Sequence, residues 1–399
     1  MKEDNMKQGW EIKKLGEVCE VIGGSTPKTN EPTYWDGDFF WVTPAELDGT
    51  KLISSTKRTI TEAGIKSAHL QLLPAGTVLL SSRAPIGKVA ITTVPMYCNQ
   101  GFKNIICSDK LYNCYVYWFL YAKTEYLNAL GTGATFKEIS KKVVEQIPIP
   151  VPPLPVQEQI VSELDLLSGI IEKKREQLKE LDALAQSIFY DMFGDPITNE
   201  KGWEVKKLGE VCDDITDGDH MPPPKSETGI PFLTISDIDK EKRELNFNDT
   251  FFVPQEYYDN LKENRRAKKG DVLYTVTGSY GIPVIVNTCK HFCFQRHIAL
   301  LKPKQENLLS LFLCQWFLCE GVKFMADQVA TGIAQKTVSL TSIRKFEIIL
   351  PPLPLQHQFA TKIEAIEKQK ELIKQSISET ETLFNERMQE HFGYELEGL

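Results

Sequence analysis

Two basic side chains, Arg83 and Lys88, flank a loop of glycine and proline between two apolar segments. A guanidinium held in such a loop can bind guanine O6 and N7 together, which contributes about 1–3 kcal/mol of discrimination between bases. The corresponding loop later in the chain offers hydroxyl groups on Thr277, Ser279 and Tyr280 instead. Both loops are therefore candidates for contact with a nucleic acid. For Arg83 and Lys88 the alternative is a surface salt bridge.

A second group of polar residues surrounds two further loops, one after Gly23-Gly24 and one beside the proline run 222–224. Hydroxyl groups and open backbone amides in such loops suit phosphate oxygens. An ordinary turn is the alternative in both places. The residues that we expect to contact phosphate here are Ser25, Thr26 and Lys28 in the first loop, and His220 and Lys225 in the second.

Two glutamines and three basic residues complete the candidate set: Gln100, Gln295, Arg296, Lys137 and Lys336. A glutamine amide can bind adenine through two hydrogen bonds, although a buried amide that satisfies the local backbone fits the sequence equally. Arg296 and His297 interrupt an otherwise apolar predicted strand, where phosphate contact is favoured over capping of the strand edge. Lys137 and Lys336 share a T-G-x-x-x-K setting, which suggests phosphate binding, with a solvated surface charge as the alternative.

Catalytic motifs are missing from the sequence. It contains no N/D-P-P-Y/F/W methyltransferase loop and no G-x-x-x-x-G-K-[ST] phosphate loop, so intrinsic methyl transfer and ATP hydrolysis are disfavoured. The Cys and His residues between 289 and 297 lack the paired C-x2-C spacing of structural zinc sites. We therefore expect no catalytic residues and no metal site on this chain.

The sequence contains an internal duplication. Residues 9–19 read GWEIKKLGEVC and residues 202–212 read GWEVKKLGEVC, with one substitution between them. The match continues through the P-P-L-P segments at 152–155 and 351–354 to the F-G pairs at 193–194 and 392–393. Between these ends, strand–loop–strand patterns at 76–93 and 270–287, each followed by a short apolar helix, predict mixed α/β globules.

Heptad spacing follows each proline segment and predicts two helices of nearly 40 residues, or about 55 Å at 1.5 Å per residue. Lys174 fills one apolar place in the first helix, and Lys370 and Thr380 interrupt the second. Two such helices can pair in antiparallel fashion. The predicted seam is Ile160, Leu164, Leu167, Ile171, Leu178, Leu181, Ile188, Phe359, Ile363, Ile366, Ile373, Ile377 and Phe384.

Composition favours a globular chain of more than one domain. The 399 residues include 42% hydrophobic and 25% charged residues, with a formal net charge of -8. The excess acid lies mostly in the helical segments 157–194 and 356–399, so the negative total does not exclude local basic patches. No apolar segment approaches the roughly 20 residues of a membrane span, and the N-terminus lacks a signal sequence, so we expect a cytoplasmic protein.

Several motifs together resemble those of DNA specificity subunits of type I restriction-modification enzymes over nearly the whole chain. The supporting segments are W-E-x-K-K-L-G-E-V at Trp10 and Trp203, G-G-S-T-P at 23–27, Y-W-x-G at 34–37, W-V at 41–42, S-R-A-x-I-G at 82–87, N-Q-G-F at 99–102, D-G-D-H at 217–220, F-Q-R-H at 294–297 and P-P-L-P-x-Q before each helix. Each motif is weak alone. The set is highly specific.

The resemblance implies target recognition domains at 1–150 and 195–350, the latter after a short linker at 195–201. It also implies a first spacer helix at 151–194 and a second spacer helix with a C-terminal tail at 351–399. It also implies a bipartite, asymmetric double-stranded DNA target. Two methyltransferase subunits and restriction (helicase-nuclease) subunits would be the partners, and these would hold S-adenosylmethionine, ATP and Mg. The alternatives are the recognition end of a fused methyltransferase-nuclease and a coiled-coil assembly scaffold.

Overall fold

The computed structural model describes residues 10–83, 85–133, 137–218, 223–240, 242–332 and 335–393. The chain forms two compact units, Met1–Lys174 with Gln375–Leu399, and Arg175–Lys374. Each unit contains a mixed α/β globule and part of each of two long helices. The predicted fold class, two similar α/β globules with paired long helices, is confirmed.

The described residues of the first unit form three sheets. Its strands are β1 (Glu11–Lys14), β2 (Cys19–Gly23), β3 (Trp35–Val42), β4 (Leu52–Ile53), β5 (Thr59–Ile60), β6 (Val78–Leu80), β7 (Val89–Thr92), β8 (Tyr97–Cys98), β9 (Lys103–Cys107) and β10 (Pro148–Val151). Its helices are α1 (Leu15–Val18), α2 (Glu62–Ser67), α3 (Asn113–Ala122), α4 (Thr124–Ala129), α5 (Lys141–Glu145) and the start of α6 (Leu154–Phe193). The strand orders are β2-β9-β6-β7-β4, β5-β3-β8 and β1-β10.

The second unit repeats this plan. Its strands are β11 (Glu204–Lys207), β12 (Cys212–Asp217), β13 (Ile230–Leu233), β14 (Ile238–Asp239), β15 (Glu244–Leu245), β16 (Phe251–Val253), β17 (Val272–Thr275), β18 (Pro283–Ile285), β19 (Cys293–Phe294), β20 (Ile298–Pro303) and β21 (Glu347–Leu350). Its helices are α7 (Leu208–Val211), α8 (Gln255–Asp259), α9 (Ser310–Leu318), α10 (Glu320–Val329), α11 (Leu340–Arg344) and the start of α12 (Leu353–Phe392). The orders β12-β20-β17-β18, β16-β13-β19 and β11-β21 match those of the first unit except at one sheet edge, where β4 extends the first sheet beyond β7 and the second sheet ends at β18. Strands β14 and β15 form a separate pair.

Each predicted apolar helix is in fact two helices, α3 with α4 and α9 with α10. In the first unit the apolar run ends at Ala122, and the Thr124 hydroxyl donates to Tyr121 O at 2.9 Å where the chain turns. In the second unit Cys319 is extended (φ -64°, ψ 138°) and separates the two helices. The prediction of one helix was wrong because apolar composition does not reveal such a local break.

The long helices α6 and α12 each contain 40 residues, and their halves pack in antiparallel fashion within each unit. In the first unit the Oε1 atom of Glu163 lies 2.9 Å from Arg387 Nε, and the Nζ atom of Lys174 lies 2.6 Å from Ser376 Oγ. In the second unit the Nζ atom of Lys370 lies 3.0 Å from Asp182. Rising residue numbers on α6 thus meet falling numbers on α12.

The predicted seam residues face inward on these helices. Leu178, Leu181, Ile188, Ile373 and Phe384 are half-buried, whereas the others are buried: Ile160, Leu164, Leu167, Ile171, Phe359, Ile363, Ile366 and Ile377. The residues that interrupt the seam are hydrogen-bonded, since Lys174 donates to Thr380 and Lys370 donates to Asp182. Within the described part of the chain, no helix has the length and apolar character of a membrane span.

Candidate nucleic-acid interface

Loops from distant parts of the sequence converge on one surface of the first unit. The N–H of Ser82 donates to Gly101 O at 2.7 Å, and that of Ile139 donates to Ser82 O at 3.0 Å. The loop that contains Gly23, Gly24 and residues 25–28, here called the glycine loop, joins the same surface, because the N–H of Ser25 donates to Cys98 O at 3.1 Å. Backbone hydrogen bonds therefore join the segments that contain Ser25, Arg83, Gln100 and Lys137. We call this surface the loop face of the first unit.

The second unit contains a matching loop face. The N–H of Val276 donates to His297 O at 2.9 Å, and that of Val338 donates to Val276 O at 2.9 Å. These bonds place the segments of Thr277, Arg296 and Lys336 side by side. The two loop faces thus have the same backbone frame, and sequence patterns alone did not reveal that these segments meet.

Close backbone packing explains a glycine in each loop face. A Cβ atom on Gly24 would lie 2.0 Å from Asn99 O, and one on Gly218 would lie 1.8 Å from Phe294 O. Only glycine permits this approach. The N–H of Ser25 is occupied by Cys98, so our expectation of open backbone amides at this residue was wrong. The glycine loop is built for packing, and its hydroxyl groups and Lys28 remain as candidate contacts.

The same backbone frame carries different side chains in the two units. In the first, Glu138 lies between Arg83 and Lys103, with N···O distances of 3.8 and 3.0 Å. In the second, the corresponding backbone bridge joins Thr277 and Thr337, and the hydroxyl of Thr337 donates to that of Thr277 at 3.2 Å. One loop face therefore presents a charged cluster where the other presents two hydroxyl groups.

Two tryptophans that we did not select as candidate site residues hold the glycine loop of the first unit. Trp41 Nε1 donates to Ser25 O at 3.2 Å, and Trp35 Nε1 donates to Lys28 O at 3.1 Å. The exposed guanidinium of Arg58 lies 3.6 Å from the centroid of the Trp35 ring. The signal was present in the Y-W-x-G and W-V segments, but a tryptophan shows its N–H partner only in the folded chain.

Several candidate side chains have partners within their own loop face. The Thr26 hydroxyl donates to the Gln100 side chain, which brings two predicted residues together. The Lys88 ammonium donates to Leu47 O at 2.7 Å and lies 3.4 Å from Pro44 O. Lys88 therefore holds a neighbouring loop, an arrangement that the sequence did not reveal.

In the second unit, Ser279 Oγ accepts a hydrogen bond from Lys240 at 2.7 Å, and the Tyr280 hydroxyl donates to Asp327 at 2.5 Å. That hydrogen bond raises the pKa of Tyr280 above its usual value. Lys225 lies 5.0 Å from the ring centroid of Phe251. Each of these three candidate side chains therefore has a partner within the second unit.

Arg296 and His297 lie in a turn between β19 and β20, so their predicted place within a strand was wrong. Two short apolar strands flank the turn and resemble one interrupted strand in the sequence. Burial, followed by the charge of Arg296, lowers the pKa of His297. Gln295 is half-buried beside them, and its backbone N–H donates to Leu233 O at 3.0 Å.

The side chains with the most freedom to bind an anion are exposed lysines and one arginine. Within the described residues, no ion pair forms at Lys28, Lys137, Lys336 or Arg296, and all four are exposed. His220 lies outside the described residues. Among the described residues, no group of three or more His, Cys, Asp or Glu side chains is arranged to hold a metal.

Comparison with known proteins supports a single family. A family model described as the type I restriction modification DNA specificity domain matches residues 7–182 and again 200–382. The chain is 30% identical over 383 residues to the specificity subunit of type I restriction enzyme MjaIX from Methanocaldococcus jannaschii, covering 90% of this chain and 86% of that protein. It is 22% identical to the EcoKI specificity subunit of Escherichia coli, covering 92% and 84%.

Solved structures show the same fold. The S subunit of a type I restriction-modification system from M. genitalium matches with a TM-score of 0.58 and 12% identity, covering 98% of this chain and 99% of that one. A chain from a study of complex assembly and conformational transition of the type I R-M system matches with a TM-score of 0.61 and 20% identity, covering 97% and 98%.

Proposed function

The chain belongs to the family of type I restriction-modification DNA specificity proteins, with the family domain present twice, and on this premise we propose that it is a non-catalytic subunit that selects the DNA sequence for its partners. Each unit would bind one half-site through its loop face. The target would be bipartite and asymmetric. The cytoplasm, where DNA and the partner subunits are found, would be its location.

The observation that supports this proposal most directly is one backbone frame with two sets of side chains. Backbone hydrogen bonds of the same kind join Ser82 to Ile139 and Val276 to Val338. The charged cluster around Glu138 is replaced by the Thr277–Thr337 hydroxyl pair. Phosphate contacts suit a shared frame, whereas base selection requires side chains that differ. A palindromic target would give no reason for this difference.

The long helices would hold two methyltransferase subunits and set the distance between half-sites. Exposed leucines on α6 and α12 support a protein partner on these helices: Leu166, Leu184, Leu372 and Leu383. The methyltransferase subunits would bring S-adenosylmethionine and accept a flipped adenine, and restriction subunits would use ATP and Mg. Arg83, Lys137, Arg296 and Lys336 are the DNA contacts that we rank first.

Exchange of residues 20–130 for those of a relative tests the assignment of one half-site to each unit. The variant, assembled with its methyltransferase subunits, should methylate a target in which one half-site alone has changed. Mapping methylated adenines in the DNA of cells that express it gives the result directly. Loss of both half-sites, or no change in either, would contradict the proposal.

Removal of one heptad from both long helices tests the spacing role. The preferred distance between half-sites should change while both half-site sequences remain the same, because the helices do not contribute to base selection. An unchanged spacer would show that another part of the complex sets the distance.

A further inference from the structure

The end of the helix pair in the first unit contains an ionic contact between unlike repeats. Glu163 on α6 lies 2.9 Å from Arg387 Nε and 3.1 Å from His391 Nε2, both on α12. The imidazole is buried and the carboxylate is half-buried. Contacts with this degree of burial are less screened by solvent than those on an open surface.

The two repeats do not have the same residues at this place. Because α6 spans Leu154–Phe193 and α12 spans Leu353–Phe392, corresponding helix positions differ by 199. Two first repeats paired in the same way would put Glu163 against Ile188 and Met192, which offer no positive charge. Two second repeats would put Lys362 against the two basic residues of α12. A pair of first repeats therefore leaves the carboxylate of Glu163 without a basic partner. A pair of second repeats brings Lys362 against other positive charges. We call these two arrangements like pairs, and the observed arrangement the unlike pair.

A second contact near the middle of the helices has the same preference. The ammonium of Lys174 donates to Ser376 Oγ at 2.6 Å and to Thr380 Oγ1 at 3.1 Å. In a pair of first repeats, the corresponding positions are Gln177 and Leu181. One of the two hydroxyl acceptors is then replaced by an apolar side chain. A polar residue in a helix seam selects partner and register in this way.

A third contact would be retained in a pair of second repeats. Lys370 binds Asp182 at 3.0 Å, and the residue that corresponds to Asp182 in the second repeat is Glu381. A pair of second repeats would therefore keep a carboxylate near Lys370. The repulsion at Lys362 is the feature that opposes this pair.

We propose that the helix pair is selective for unlike repeats, so that a second copy of the chain cannot replace either helix with its own equivalent. The charges at Glu163 and Lys362 and the hydroxyl acceptors of Lys174 provide this selectivity. If each unit reads one half-site, as in the proposed function, this selectivity prevents two identical units from assembling on a palindromic target.

Cleavage of the full chain tests the inference without reference to DNA. A protease site inserted between the exposed residues Glu200 and Lys201 yields two pieces, each with one long helix. After unfolding in urea and joint refolding, native mass spectrometry should find unlike pairs almost exclusively. Random pairing would make like and unlike pairs equally abundant, and that result would overturn the inference.

A charge reversal at Lys362 should make pairing between two second pieces more favourable. Lys362→Glu in the cleavable chain would meet Arg387 and His391 in a pair of second pieces, so these like pairs should increase at least tenfold over the unmodified protein. Lys368→Glu makes the same charge change at an exposed position away from the seam and serves as the matched control. Equal effects of the two variants would contradict the electrostatic explanation.

The intact chain gives a second test that needs no refolding of pieces. Glu163→Lys should lower the thermal midpoint because it places like charges against α12, and the double variant Glu163→Lys with Arg387→Glu should restore it. Lys362→Glu should leave the midpoint unchanged, since Lys362 is exposed in the unlike pair. Failure of the double variant to restore stability would exclude a specific contact between these helices.

Discussion

The Oε1 atom of Gln157 accepts a hydrogen bond from the backbone N–H of Tyr112 at 2.8 Å. Its Nε2 atom donates to Lys110 O and Pro152 O at 2.9 and 2.8 Å. Gln356 makes the same three bonds, to Leu309, Asn307 and Pro351. Both side chains are 0% exposed. Each buried amide therefore fixes the first turn of a long helix to the globule that precedes it.

Gln157→Leu should lower the free energy of unfolding by about 2–3 kcal/mol, because buried backbone groups lose their hydrogen-bond partners. Gln356→Leu should have a similar effect in the second unit. Urea denaturation measures both. The control is Gln159→Leu, since Gln159 is exposed on the same helix. An equal effect at Gln159 would mean that the cost comes from the helix surface and not from the buried bonds.

Gly24→Ala should lower the free energy of unfolding by about 1–3 kcal/mol, because the new methyl group would overlap Asn99 O and force the glycine loop to move. The neighbouring Gly23 is a matched control, since a Cβ atom there has no atom within 4 Å. Gly23→Ala should change stability by a few tenths of a kcal/mol. Thermal unfolding measures the stability of both variants. A similar loss of stability in Gly23→Ala and Gly24→Ala would argue against the close approach at Gly24.

Burial lowers the pKa of Lys123 from 10.5 to about 8. Between these values the unfolded chain binds the additional proton, so this lysine makes the free energy of unfolding rise with pH across that window and destabilises the fold below it. Lys123→Met should stabilise the protein near neutral pH by on the order of 1 kcal/mol, a value reduced for solvent screening of this half-exposed group.

The stabilisation by Lys123→Met should diminish as pH rises through the window and vanish near the upper value. Denaturation of both proteins at several pH values measures the difference and removes the contribution of other titrating groups. Lys110→Met, at an exposed lysine, should show no such trend. A constant difference at all pH values would mean that packing of the methionine, and not the lysine charge, causes the effect.

The sequence predicted those features that depend on local pattern. The duplication was found by comparing residues 9–19 with 202–212. Heptad spacing predicted α6 and α12, because the period of a helix can be read from the spacing of apolar residues along the sequence. The strand–loop–strand segments around β6 and β17 were found in the same way. These elements determine the frame on which both loop faces are built.

Features that depend on distant contacts were not predictable in this way. Lys88 was selected as a candidate DNA contact because of its charge and its place in a loop. In the structure its ammonium instead donates a hydrogen bond to the carbonyl of Leu47, 41 positions away. Arg296 was expected within a strand, because a short turn between two apolar strands has no signature in the apolar pattern. Trp35 and Trp41 were recognised as family residues, but their role in holding the glycine loop depends on a fold in which Ser25 and Lys28 lie beside them.

Arg83→Thr copies the residue of the second unit into the first and should relax base selection in the first half-site alone. Loss of one bidentate guanine contact corresponds to about 1–3 kcal/mol of discrimination. Methylation by the complex assembled with its methyltransferase subunits, measured on a library of targets, gives the selectivity at each position. Loss of selectivity at the second half-site would contradict a local contact by Arg83.

Lys137→Ala and Lys336→Ala should weaken binding to specific and random duplex by the same factor, because a phosphate contact carries no base information. Each variant should also reduce the slope of log K against log salt concentration by about 1, the number of counterions that one lost phosphate contact no longer releases. Lys110→Ala, at an exposed lysine, is the control and should leave the slope unchanged. Reduced affinity for the specific duplex alone would assign these lysines to base selection.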